Sequence, residues 1–247
     1  MKLNKMFIAA LCGMAMLPFS MNARAALIAD VAFVIDQSGS MSGEFAWLGS
    51  SISSIDSALS SAGITTRYAV AGYEYYAGNE GGSNIYQDFS TDISDITTAV
   101  NGASVYGGTE NGYHAADWST TGFSWDPNAA KVIILVTDES GNQYSSSVFG
   151  VDEATLGTNM TSGGFLLNVI APTYYQSEWD DAVYQTGSYL GFFDIDYLRT
   201  DPTNFTADFT AAKVKEIQHY NPVPEPASLA LMGIGLLSFA AYRKRKD

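Results

Sequence analysis

Five consecutive apolar residues, Val31-Ala32-Phe33-Val34-Ile35, run straight into Asp36-Gln37-Ser38-Gly39-Ser40. A strand that is apolar on every residue is covered on both faces, and that is the condition of a parallel sheet with helices on each side. Residues 131–137 read as a second buried strand, apolar from Val132 to Val136 and closed by Asp138-Glu139, and residues 165–171 read as a third, apolar but for Asn168. Between them the period changes. Residues 44–61 carry Phe45, Leu48, Ile52, Ile55 and Leu59 at spacings of three and four, the stripe of an amphipathic helix, and Gly63 follows it. Residues 65–76 and 85–89 read as two strands of a hairpin, and helices are expected over 92–100, 111–118, 151–160 and 203–218. A short strand is expected at 192–195. The alternation predicts an α/β fold, a Rossmann-like, doubly wound, mostly parallel sheet with helices on both faces.

In such a sheet ligands bind beyond the carboxyl ends of the strands, where successive connections leave to opposite faces. Asp36 and Asp138 both stand at such ends. Ser38 and Ser40 follow Asp36 in its turn, and Thr109 follows Gly107-Gly108, whose backbone freedom allows a close approach. Five oxygen donors from three segments suit a hard cation. Magnesium in particular uses only one or two carboxylates and fills its remaining positions with neutral oxygens. Read alone, the Asp-x-Ser-x-Ser turn also fits a helix N-cap, for which Asp and Ser are preferred.

The charge balance narrows the partners. Residues 26–220 hold 24 acidic and 5 basic side chains, while seven of the twelve Lys and Arg lie near the two ends. A surface of that sign repels nucleic acid and attracts cations and basic partners. Residues 1–25 have the layout of a secretory signal: Lys2 and Lys5, an apolar stretch over 6–19, then Ala23-Arg24-Ala25 before a cut ahead of Ala26. Cys12, the one cysteine, lies inside that segment, so the exported chain is expected to hold no disulfide. Residues 221–226 contain three prolines and read as extended. An uncharged, mostly apolar stretch follows at 227–242, then Arg243-Lys244-Arg245-Lys246. This reads as a short membrane helix with its basic end cytoplasmic. Three regions result: a signal peptide at 1–25, one domain at 26–220, and a C-terminal segment at 221–247.

Two resemblances rest on these residues. Pro224-Glu225-Pro226, the apolar helix and a tail beginning Arg243, Lys244, Arg245 resemble the PEP-CTERM sorting signal of Gram-negative bacteria that export polysaccharide. The resemblance implies processing by an exosortase, a membrane transpeptidase, and a place at the cell surface or in the extracellular matrix, with transient or permanent anchoring in the inner membrane. The set Asp36, Ser38, Ser40, Thr109 and Asp138, within DQSGS, GGT and VTD, resembles the metal-ion-dependent adhesion site (MIDAS) of von Willebrand factor type A (VWA) domains. That family implies a bound divalent cation, Mg2+ first with Mn2+ or Ca2+ as alternatives, and a coordination position left for a partner's carboxylate. Glu139 departs from the glycine the family often has there; its side chain either adds charge near the ion or points to solvent.

The expected function is therefore that of an exported, surface- or matrix-associated binding module that captures an acidic group of a protein or an exopolysaccharide. A structural matrix subunit with a vestigial metal site is the first alternative. A metal-assisted exported hydrolase is the second, and it is disfavoured: His114 and His219 are the only histidines, and neither stands in a Gly-x-Ser-x-Gly or His-Glu-x-x-His context. The chain is thus expected not to be an enzyme. Two aromatic loops, one beginning at Tyr73 and one over 173–179, serve either as contact surface or as core.

Overall fold

The computed structural model describes residues 27–74, 83–107, 110–141, 150–186 and 189–220. The expected signal segment, the Pro-rich stretch, the apolar helix and the basic tail lie outside them. Strands β1 (Leu27–Asp36), β2 (Ile64–Tyr73), β3 (Ser83–Ser90), β4 (Ala130–Val136) and β5 (Phe165–Ala171) are followed by a small ribbon, β6 (Gln185–Thr186) with β7 (Tyr189–Leu190), and by β8 (Phe192–Asp194). The main sheet has the order β3-β2-β1-β4-β5-β8. Only β2 with β3 is antiparallel; the other four pairings are parallel.

Within the apolar runs, alternation decides which helices each residue meets. Val31, Phe33 and Ile35 join the cluster formed with α1 (Ser42–Ser61), α2 (Ile93–Asn101) and α6 (Pro202–Tyr220). Ala32 and Val34 face the other way, onto α3 (Gly112–Gly122) and α4 (Glu153–Gly163). The expected stripe of α1 is buried at all five positions. Each such side chain contributes roughly 1.5–3 kcal/mol of transfer free energy. Trp47 on the same helix reaches α6, where its indole N–H donates to Thr206 Oγ1 at 2.9 Å and its ring meets Phe205 edge-on. Gly63, at φ +80°, then turns the chain in a conformation that side-chain-bearing residues avoid.

The strand order fixes where a ligand fits. The chain leaves β1 through α1 toward β2 on one side, and leaves β4 through α4 toward β5 on the other. The connections therefore diverge between β1 and β4, and the crevice beyond their carboxyl ends lies between Asp36 and Asp138. The β6–β7 ribbon and one helix depart from expectation. Asp194 ends β8 and caps a further helix, α5 (Ile195–Thr200), by accepting from the Asp196 amide at 3.0 Å. Six residues are too few to show a helical period in sequence.

Candidate metal centre

Asp36 is the last residue of β1, the central strand, and is fully buried. Its Oδ1 accepts from the Ser38 amide at 2.6 Å, and its Oδ2 accepts from Thr137 Oγ1 at 2.7 Å. Burial pushes the Asp36 carboxyl up to about 6, against those hydrogen bonds, which lower it. Thr137 is itself oriented by the Glu139 amide, which donates to its hydroxyl at 3.0 Å. The carboxylate is thus held from both sides before any ligand arrives.

The two serines have no capping role. A short 3-10 turn over Gly39–Met41 and then α1 both begin without a side-chain cap. Instead Ser38 Oγ lies 3.0 Å from Ser40 Oγ, and Ser40 Oγ donates to Asp138 Oδ1 at 3.0 Å. Asp36, Ser38, Ser40 and Asp138 are therefore brought to one place. Two carboxylates and two hydroxyls at hydrogen-bonding distance make a cluster of hard oxygen donors of the kind magnesium and calcium take. Among the described residues no group of three His, Cys, Asp or Glu side chains could hold an ion. A cation here depends on hydroxyls, which is the donor set the turn supplies.

Thr109 lies outside the described residues, but the segment leading to it does not. The Tyr106 amide donates to Gln37 O at 2.6 Å, and Gln37 Nε2 donates to Ser104 O at 2.7 Å. Gln37 thereby ties the threonine loop to the serine turn, and its buried side chain crosses Gly72, where a Cβ would collide with it at 2.5 Å. Gly107 adopts φ +102°. A Cβ there would sit 3.2 Å from both Glu74 Oε2 and Glu110 Oε1. Two further buried carboxylates thus flank the loop, and burial raises the Glu74 carboxyl above its usual range.

Sequence reasoning missed Arg199 on α5. Its Nη2 donates to Asp138 Oδ2 at 2.8 Å and its Nε to Glu44 Oε1 at 2.6 Å. Burial alone would lower the guanidinium, but Glu44 and Asp138 outweigh it and push it above its ordinary value. Asp138 therefore turns one oxygen to Ser40 and the other to a fixed cation. The only advance signal was scarcity, since each of five basic groups in so acidic a domain is expected to have a carboxylate beside it.

The aromatic loops divide. Tyr73 and Trp179 are core, Trp179 meeting Tyr113 edge-on with centroids 4.8 Å apart, whereas Tyr174 is 71% exposed. Glu139 is half-buried. His114 and His219 sit on different helices, α3 and α6. Residues 224–226 and 243–245 lie outside the described residues. Among those described, no helix is long and apolar enough to cross a membrane.

Comparison with known proteins gives two family matches: the von Willebrand factor type A domain over residues 30–186, and the PEP-CTERM protein-sorting motif over residues 222–246. No curated protein matches the chain in sequence. Similar solved structures include proximal thread matrix protein 1 from the mussel byssus, at TM-score 0.55 and 16% identity over 76% of this chain and 46% of that one. The same protein with a zinc-occupied MIDAS motif gives TM-score 0.57 at 15% identity over the same shares of the two chains. The pilus adhesin SpaC from Lactobacillus rhamnosus GG gives 0.52 at 14% identity, over 77% of this chain and 30% of that one. This chain spans less than half the length of those proteins, and at such identities the likeness is one of fold.

Proposed function

The chain belongs to the von Willebrand factor type A domain family and carries a PEP-CTERM sorting motif, and from that premise we propose that it is an exported, surface- or matrix-associated binding module. It captures an acidic group of a protein or polysaccharide through a divalent cation, Mg2+ in preference to Mn2+ or Ca2+, held by Asp36, Ser38, Ser40, Thr109 and Asp138. An exosortase-type enzyme processes its C-terminal segment.

The observation that carries this reading is the pair of serine hydroxyls. They cap no helix and form a chain from Ser38 through Ser40 to Asp138, with 3.0 Å between successive oxygens. When bound, the cation supplies a Lewis-acidic coordination position for an incoming carboxylate. Asp36 and Asp138 give it two negative charges, and the hydroxyls add donors without charge, so a partner's carboxylate is still attracted. Titration calorimetry with MgCl2 tests this. Binding in the wild type that is lost in Asp36→Ala supports it, and absence of Mg2+, Mn2+ and Ca2+ binding overturns it.

A second reading draws on Arg199. A guanidinium bonded to Asp138 offsets one of the two carboxylates, which favours a matrix subunit whose metal site has lost its use. Self-association that persists in EDTA, with no cation bound, is the result that selects it.

A further inference from the structure

Beneath α6 lies a second polar cluster, remote in character from the crevice. Asn168 sits in the middle of β5, on the face covered by α6, in a strand whose other residues are all apolar. Lys213 and Glu216 descend to it from α6 and are 3% and 1% exposed. Lys213 Nζ donates both to Asn168 Oδ1 and to Glu216 Oε2, and Asn168 Nδ2 donates to Glu216 Oε1 at 2.9 Å. Phe193 and Phe209 close over the amine, their ring centroids 5.0 and 5.6 Å from Nζ. At Gly191 a Cβ would stand 3.1 Å from Asn168 Oδ1, so the chain entering β8 seals the remaining side.

We propose that Lys213 and Asn168 are joined by a side-chain amide bond, formed by the protein itself with Glu216 as acid and base. An ion pair and a carboxamide are a costly way to fill an apolar core, since well-packed apolar side chains of similar size stabilise as much or more. The arrangement has another logic. One carboxyl group bridges the nucleophile and the leaving group, with Oε2 on the amine and Oε1 on the amide nitrogen. Burial lowers the Lys213 ammonium below its ordinary value, with Glu216 opposing; this favours the neutral amine that chemistry needs.

The steps balance. A proton passes from Nζ to Glu216 Oε2, leaving a neutral amine and a carboxylic acid. The amine's lone pair attacks Asn168 Cγ, one bond from the oxygen it already contacts, and the carbonyl electrons move onto Oδ1. Glu216 protonates Nδ2 and takes a second proton from Nζ. The Oδ1 electrons return, the Cγ–Nδ2 bond breaks, and ammonia leaves. One C–N bond is made and one broken, with no change of oxidation state and no external reagent. The linkage closes a 45-residue separation and ties α6, which precedes the sorting motif, to the middle of β5. In a chain whose one cysteine is Cys12, it supplies the kind of covalent tie that a disulfide gives elsewhere.

Intact-mass spectrometry of the purified full chain, unfolded in denaturant, tests the bond. The wild type is expected to be lighter than its own sequence mass by one ammonia, and tandem fragmentation to yield a branched peptide joining Lys213 to Asn168. Glu216→Gln keeps the shape of the bridging group and is expected at full sequence mass, with its fold checked by circular dichroism. A wild type at full sequence mass overturns the proposal, as does an ammonia deficit that survives in Lys213→Met. Should Glu216→Gln fail to fold, presence or absence of the branched peptide in the wild type still decides.

Discussion

Two charged clusters organise this domain, and they treat charge in opposite ways. At the crevice between β1 and β4, Asp36, Ser38, Ser40 and Asp138 come from loops at strand ends, and Arg199 beside them is about a third exposed. Under α6, Asn168, Lys213 and Glu216 come from mid-strand and mid-helix and are sealed. A cluster at the rim can exchange ligands with solvent; one at mid-strand, closed over by Phe193 and Phe209, is sealed from it. Position along the strand therefore separates the site proposed for reversible capture from the one proposed for a permanent linkage. The largest test of that contrast replaces the whole buried cluster, Asn168→Leu together with Lys213→Met and Glu216→Leu, so that no polar partner is left stranded. If the cluster were only an ion pair, apolar groups of similar size would leave stability unchanged or raise it by about 1–4 kcal/mol. Loss of a covalent tie across 45 residues instead costs about 4 kcal/mol on the loop-entropy scale. For a domain of this size the latter lowers Tm by roughly 10 °C. Thermal unfolding followed by circular dichroism reads the sign directly.

At the rim the discriminating effect is on ligand linkage, above any change in intrinsic stability. With Mg2+ at a hundredfold excess over its Kd, the wild type is expected to gain about 2.7 kcal/mol, and EDTA is expected to remove that gain. Asp36→Ala abolishes the response to both additions. In the absence of cation the same substitution leaves the buried Ser38 amide and Thr137 hydroxyl without their acceptor, a cation-independent background loss of about 1–3 kcal/mol. A variant that unfolds without responding to cation in either form would show that the rim is structural, like the core cluster.

The two clusters also differ in how far the sequence discloses them. Asp36, Ser38, Ser40 and Asp138 were legible as neighbours because they follow apolar strands, and a polar residue that ends such a run marks the sheet's carboxyl edge. Asp36 and Asp138 pair on that pattern alone, and the doubly wound sheet follows from the same three runs. Glu44 and Arg199 were not legible. Glu44 sits in the first turn of an amphipathic helix, where an acidic residue is ordinary, and Arg199 lies on a six-residue helix with no period to read. Asn168 was hidden by its neighbours, since a single polar residue does not interrupt the apolar reading of 165–171. Lys213 and Glu216, three apart on a helix, resemble a solvated pair until α6 is docked. Trp179 was left open by the sequence, as contact surface or as core, and it is core: it is fully buried with its ring edge-on to Tyr113.

Arg199 joins the two behaviours, and its replacement is the smallest of the predicted effects but the most discriminating. Its guanidinium bridges Glu44, only 2% exposed, and Asp138, 14% exposed. Arg199→Gln leaves the Glu44 carboxylate without its ionic partner in a site water reaches from one side, so a loss of roughly 1–2 kcal/mol is expected, between the exposed and buried limits for such pairs. The same change removes a positive charge bonded to Asp138. If the crevice holds a cation, that repulsion ends and Mg2+ binds about tenfold more tightly, equivalent to ~1.4 kcal/mol, which calorimetry resolves readily. Stability and cation affinity then move in opposite directions. A fall in both would mean that Arg199 holds Asp138 in place for the ion, so that the fixed charge is a positioning group and not a competitor.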